Sequence, residues 1–173
     1  MTKTRTSRVH SPGRPGAHHL ATNARNRRTP LVRALFDVNV LIALLDSDHA
    51  SHDTAIRWFS KHAREGWASC PITQNGCIRI MSNQGYPNPL PVHAIIERLT
   101  EACDENIHEF WPDDVSLLDS DVVDSTRIHG SRQLTDLYLL ALAVQHAGRL
   151  VTFDNGIPLG AVRKATTQNL LIL

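Results

Sequence analysis

The sequence has few cysteines and few aromatic residues, no long apolar run, and no acidic residue in its first 33 positions. Cys70, Cys77 and Cys103 are odd in number and form no C-x-x-C pair, which argues against a disulfide framework and a thiolate zinc site. They read as reduced core thiols. Aromatic residues make up 5% of the chain, so a mainly aliphatic core is expected. No stretch approaches the ~20 apolar residues of a membrane span, and the N-terminus lacks the apolar centre of a secretory signal. A soluble, cytoplasmic protein without a membrane partner is the expectation. No internal repeat is visible.

What is present fits one globular domain: 173 residues with 42% apolar content, enough to bury a core without staples. The net charge of +1 conceals an asymmetry. The first 33 residues carry eight bases (Lys3, Arg5, Arg8, Arg14, Arg25, Arg27, Arg28 and Arg33), leaving ten bases against seventeen acids in the rest. This pattern suggests a basic extension over residues 1–30, rich in Pro, Gly, Ser, Thr, Asn and Arg, ahead of an acidic domain over 31–173. The extension reads either as a disordered addition or as an arm that neutralises RNA phosphates.

The order of elements follows from periodicity and punctuation. Leu31 to Phe36 reads as a buried strand ending on Asp37, and Val38 to Leu45 as an almost wholly apolar helix. Ser51 to Glu65 has helical spacing, with Ser51 as N-cap and Gly66 as stop. Trp67 to Cys70 reads as a short strand, and Pro71 suits the first turn of a helix to about Ser82. After a Pro-, Gly- and Asn-rich loop, Val92 to Cys103 reads as a helix and Ile107 to Trp111 as a strand. The five acids of Asp113 to Asp124 suggest a solvated loop with a short helix. Thr135 to Ala147 is a strongly apolar helix, with Thr135 near its N-cap and Gly148 as its stop. Arg149 to Phe153 and Leu170 to Leu173 complete the strands. The alternation predicts an α/β fold: a central, largely parallel sheet of about four to five strands, flanked by helices on both faces.

Three aspartates occupy special places: Asp37 and Asp154 end strands, and Asp136 opens the apolar helix. Singly, each has a local explanation. Asp37 and Asp136 suit helix caps, and Asp154-Asn155-Gly156 suits a turn. Together, beside buried sequence and with no lysine in any of the three motifs, they call for a shared counter-ion. All-oxygen ligation favours Mg²⁺, with Mn²⁺ as a substitute, and carboxylate-bound Mg²⁺ suits phosphodiester hydrolysis.

The run ALFDVNVLIALLDSDHASHDTAIRWF, followed by LTDLYLLALAVQHAGRLVTFD, resembles the bacterial VapC-type PIN ribonucleases, the toxin half of type II toxin–antitoxin pairs. The resemblance spans about Leu31 to Leu173. It implies a PIN-like fold, RNA as substrate, and a metal site on Asp37 and Asp136, with Asp154 completing the catalytic pocket. Asn39 and Thr152 match small polar positions that orient a carboxylate or water. A homodimer and a VapB-like antitoxin, whose arginine satisfies the carboxylates, are also implied. One departure stands out. Many PIN domains place a glutamate on the helix after the second strand, where this chain reads Pro71-Ile72-Thr73-Gln74-Asn75-Gly76. The amides of Gln74 and Asn75 offer oxygen but no charge, so one well-held metal is expected, any second arriving with RNA.

Two other functions are weighed against this one. A haloacid-dehalogenase-like phosphatase also uses a strand-end aspartate, but wants a second aspartate where Asn39 stands and a buried lysine; Lys61 and Lys164 fit no such motif. A non-catalytic RNA-binding or regulatory PIN domain is expected to have lost a carboxylate, and three remain. His49, His52 and His62 do not share one helical face and read as solvent or capping residues; Arg127 and Arg132 read as surface residues.

Overall fold

The structure is a computed structural model that describes residues 32–173; the basic extension lies outside the described residues. The first strand, β1 (Ala34–Phe36), leads into α1 (Val38–Leu45) and α2 (His52–His62). Then come β2 (Trp67–Ser69), α3 (Pro71–Met81), α4 (Val92–Cys103) and β3 (His108–Phe110). The chain closes with α5 (Leu134–Gln145), β4 (Arg149–Thr152) and β5 (Leu170–Ile172). The five strands form one parallel sheet in the order β3-β2-β1-β4-β5. Among the described residues, no helix is long and apolar enough to cross a membrane.

Strand alternation explains the layers. Ala34, Phe36, Trp67 and Val151 point into a core with Val40, Leu41, Ile42, Cys77, Met81 and Ile95, supplied by α1, α3 and α4. Their neighbours Leu35, Ala68 and Leu150 point the other way, onto Leu137, Leu140 and Ala141 of α5. Right-handed crossovers account for the split: β1 to β2 to β3 moves outward in one direction, while α5 carries the chain back to the opposite side of β1 and covers the opposite face. The strand order therefore reverses between β1 and β4, and their C-terminal ends border the crevice where open parallel sheets place sites.

Several expectations meet adjustments. The α5 face is mainly aliphatic, with Trp111 and the half-buried Tyr138 its aromatics, as composition predicts. The other face is not, because the few aromatics cluster there: Phe36 lies 5.4 Å from Trp67 and 6.0 Å from both Trp58 and Phe59, centroid to centroid. Composition reports how many aromatics exist and not where they gather. The three cysteines are free, Cys70 and Cys77 buried. The acidic segment forms turns without a helix of its own; a 3₁₀ turn, Ser125–Arg127, follows it, capped by Asp124.

Both ends of α5 also differ. A 3₁₀ turn, Ser131–Gln133, runs straight into α5, so Gln133 takes the N-cap position and Thr135 lies inside the helix. At the other end, Ala147 and not Gly148 adopts the left-handed conformation, with φ 51°. The amides of Ala147 and Gly148 donate to the carbonyls of Val144 (3.1 Å) and Ala143 (2.8 Å), a Schellman closure. Gly148 is required by space: a Cβ there would stand 2.5 Å from the Trp111 ring and 2.8 Å from the Arg33 carbonyl.

These two adjacent positions should respond oppositely to substitution. Ala147→Gly relieves a left-handed alanine and should raise the melting temperature by roughly 1–3 °C after the unfolded-state entropy is offset. Gly148→Ala should lower stability by about 1–3 kcal/mol through overpacking, as read by thermal and urea melts of the two variants.

Candidate active site at the sheet switch point

Asp37 follows β1, and its amide still donates to the Val151 carbonyl of β4 at 3.1 Å. Its carboxylate is therefore built into the sheet edge and is only 6% exposed. One oxygen accepts the Val38 amide at 2.5 Å, which caps α1, and the other accepts the Thr152 hydroxyl at 2.9 Å. Burial pushes the Asp37 pKa up; the Thr152 and Val38 hydrogen bonds pull it back, and the neighbouring Asp154 charge pushes it up again.

Thr152 is fully buried and acts as a pivot. Its hydroxyl donates to Asp37 and accepts the Asp154 amide at 3.0 Å, which ties the two strand-end acids together. Asp154 is exposed, and one of its oxygens accepts the Gly156 amide at 2.6 Å in the turn that its sequence suggests. It is thus a turn residue and also a charge facing the other two.

Asp136 sits in the first turn of α5. Burial, then the charges of Asp37 and Asp154, raise its pKa to about 6. It does not cap the helix, and none of the three aspartates joins an ion pair among the described residues. Gln133, which sequence reasoning passed over, braces the arrangement: its amide nitrogen donates to the Gly156 carbonyl at 3.3 Å and its oxygen accepts the His129 amide at 3.0 Å. The start of α5 is thereby held to the turn that carries Asp154.

The other candidates fall in different places. Asn39 is exposed, and its contribution to Asp37 comes from its backbone amide. Asn75 is exposed on α3, next to Gly76, where a Cβ would meet the Val38 side chain at 2.6 Å; Gly76 thus lets α3 approach the start of α1. Gln74 turns away. Its amide nitrogen donates to the Ser69 hydroxyl at 2.9 Å, on the sheet face opposite Asp37, and Ser69 also meets His108 Nε2 at 2.8 Å. Because His108 Nδ1 faces the Cys103 carbonyl at 3.1 Å, that nitrogen carries the proton, and Ser69 donates to Nε2. This half-buried network gives Gln74 a structural occupation that no local motif announces.

The histidines of the second helical region stay with the backbone: His49 accepts the Ser51 amide, and His52 and His62 bond the Ala43 and Trp58 carbonyls. Arg127 pairs with Asp124, and Arg132 is exposed on the turn before α5.

The site thus brings three carboxylates within reach of one another's charge, and among the described residues no cation pairs with them. Among the described residues, no three acidic, histidine or cysteine side chains alone enclose an ion. Two carboxylates completed by water are nonetheless the usual donor set for Mg²⁺, which holds on to several of its waters. The donors are all oxygen, so a zinc-type site does not fit.

The PIN domain family matches residues 34–162. The chain belongs to the PIN-domain family. Its similarity within that family is to the VapC ribonucleases. It is 53% identical over 142 residues to Ribonuclease VapC44 of Mycobacterium tuberculosis (strain H37Rv), covering 82% of this chain and 100% of that one. It is 44% identical over 122 residues to Ribonuclease VapC39 of the same strain, covering 70% and 88%. To Ribonuclease VapC38 it is 39% identical over 142 residues, covering 81% and 99%. Membership in this PIN family sets aside the phosphatase alternative.

The raised pKa values fix the sign of a pH effect. A carboxyl that holds its proton more tightly when folded makes the metal-free protein lose stability as pH rises from about 4 to beyond about 6. Asp136→Asn should flatten that decline and raise the metal-free melting temperature at neutral pH by roughly 2–5 °C. Calorimetry in chelator across that pH range checks it; an unchanged slope would show that the carboxylates do not strain one another.

Proposed function

We propose that the protein is a Mg²⁺-dependent ribonuclease that hydrolyses RNA phosphodiester bonds as the VapC-like toxin of a toxin–antitoxin module. One observation carries the reading: the aspartates that follow β1 and β4 and the one that opens α5 lie together at the switch point of a PIN-family sheet, and none of them joins an ion pair among the described residues. The names of the VapC relatives point the same way.

In this reading Asp37 and Asp136 hold the metal, which Mn²⁺ can replace. When bound, it supplies Lewis-acid polarisation of the phosphoryl group and activation of water. Thr152 and the Val38 amide each hold one oxygen of the Asp37 carboxylate in place. Asp154, exposed at the rim, orients the attacking water and keeps the pocket acidic. Asn39 and Asn75, both exposed beside the start of α1, contact substrate or water. With Gln74 engaged by Ser69, the fourth corner of the site carries no charge, which supports a single tightly held ion.

The metal-free cluster repels a polyanion, so cleavage is strictly metal-dependent. The same unbalanced charge suits a guanidinium, and a VapB-like antitoxin that inserts an arginine into the crevice replaces the metal and blocks RNA. A homodimer acting in the cytoplasm completes the proposal, with residues 31–173 as the nuclease domain.

Asp37→Asn and Asp136→Asn should each lower cleavage of a cellular RNA pool by about 10³-fold or more while leaving circular dichroism unchanged. Chelation should abolish wild-type cleavage and added Mg²⁺ restore it. Full activity of purified Asp37→Asn protein would sink the site assignment.

A further inference from the structure

Helix α3 leads from the acidic crevice to a second feature of the surface. Asn75, Arg79 and Asn83 recur every four residues, so they form one row along α3 and its C-terminal extension, and all three are exposed. The row begins beside Gly76, where α3 meets the start of α1, and rises about 12 Å. It ends at a cavity of about 310 Å³ lined by Arg79, Ile80, Asn83, Gly85, Tyr86 and Pro87.

The wall of this cavity is fixed, although its sequence is loop-like. The Tyr86 hydroxyl donates to Asp46 at 2.5 Å, and the Tyr86 amide donates to the Asn83 carbonyl at 2.9 Å. Asn88 donates to Asp48 at 3.2 Å, and the Leu90 amide donates to the Met81 carbonyl at 3.1 Å. The Gly85 amide binds Asn83 Oδ1 at 2.8 Å, and a Cβ on Gly85 would stand 3.2 Å from that oxygen. Arg79 joins no ion pair among the described residues, although acids outnumber bases across the domain. A positioned aromatic ring beside an unpaired guanidinium is the combination that single-stranded nucleic acid uses: rings stack on bases of any identity, and arginine takes the phosphate.

We propose that this cavity is a nucleotide subsite for single-stranded RNA, with an unstacked base against Tyr86, its phosphate on Arg79, and the strand passing Asn75 to the aspartate crevice. The inference rests on the ribonuclease reading above and adds where the substrate is gripped away from the cut. Such a grip makes binding depend on RNA length, because an oligonucleotide too short to leave the crevice never reaches Tyr86.

The test uses the full chain carrying Asp37→Asn, which prevents cleavage, and fluorescence anisotropy in Mg²⁺ with an unstructured RNA of about ten nucleotides and a trinucleotide of the same composition. Arg79→Ala should weaken the longer RNA about tenfold and reduce the salt dependence of log affinity by about 0.7. Tyr86→Leu should also cost about tenfold. Tyr86→Trp lacks the Asp46 hydrogen bond but keeps a stacking face, and should bind as the parent does. Trinucleotide affinity should stay the same throughout. In the active protein, Arg79→Ala should raise KM and leave kcat unchanged.

Equal affinity of Arg79→Ala, Tyr86→Leu and the parent for the longer RNA overturns the subsite alone. Equal losses for Trp and Leu at position 86 overturn it too, since Tyr86 then only anchors the loop. If Arg79→Ala leaves RNA binding intact but weakens a protein complex, the cavity is a protein contact and the proposal falls. Failure of the unsubstituted protein to bind or cleave any RNA in Mg²⁺ overturns the ribonuclease reading, and the subsite with it.

Discussion

The hydrogen bond from Thr152 to Asp37 joins residues 115 positions apart and holds a nearly buried carboxylate at the centre of the sheet. Such a group is costly unless its oxygens are satisfied, and here a hydroxyl and a helix-start amide satisfy them without neutralising the charge. Much of the architecture serves that arrangement. The switch in strand order sets β4 beside β1, the reversal of direction sets α5 over the same edge, and Gln133 keeps the two new acids at their stations.

A carboxylate that is buried and then set beside like charges stores unfavourable energy, and the raised pKa of Asp136 is its signature. The energy comes back when a cation arrives. In the proposed reading, a metal ion or a partner's guanidinium would meet a site whose stability improves on binding. Gln74 takes no part in this effect. Its network with Ser69 and His108 lies on the opposite face of the sheet, where the amide joins strand to helix.

Much of this was legible in the residues themselves. Asp37 after a short apolar run, Asp136 at the head of an apolar helix and Asp154 after Leu-Val-Thr mark strand ends and a helix start, because apolar periodicity is a local signal. Thr152 stood out by its place in the motif, though its two partners did not. What escaped depends on distant contacts. The turning of Gln74 toward Ser69 needs β3 and α4 in place, the aromatic cluster around Phe36 needs three elements, and the reason for Gly148 is a tryptophan from another strand end. Ala147 in the left-handed region is legible in no propensity scale, since the neighbouring glycine is the better candidate until space is considered.

The central position of β1 has a consequence in time. A chain made from its N-terminus completes β1, β2 and β3 early, yet the second side of β1 pairs only with β4, whose residues follow more than a hundred positions later. Until β4 emerges from the ribosome, Asp37 lacks Thr152, and neither Asp154 nor a docked α5 is present. Non-local pairing of this kind is slow and comes late in folding. The acidic centre therefore comes together late in folding, only once β4 has paired with β1.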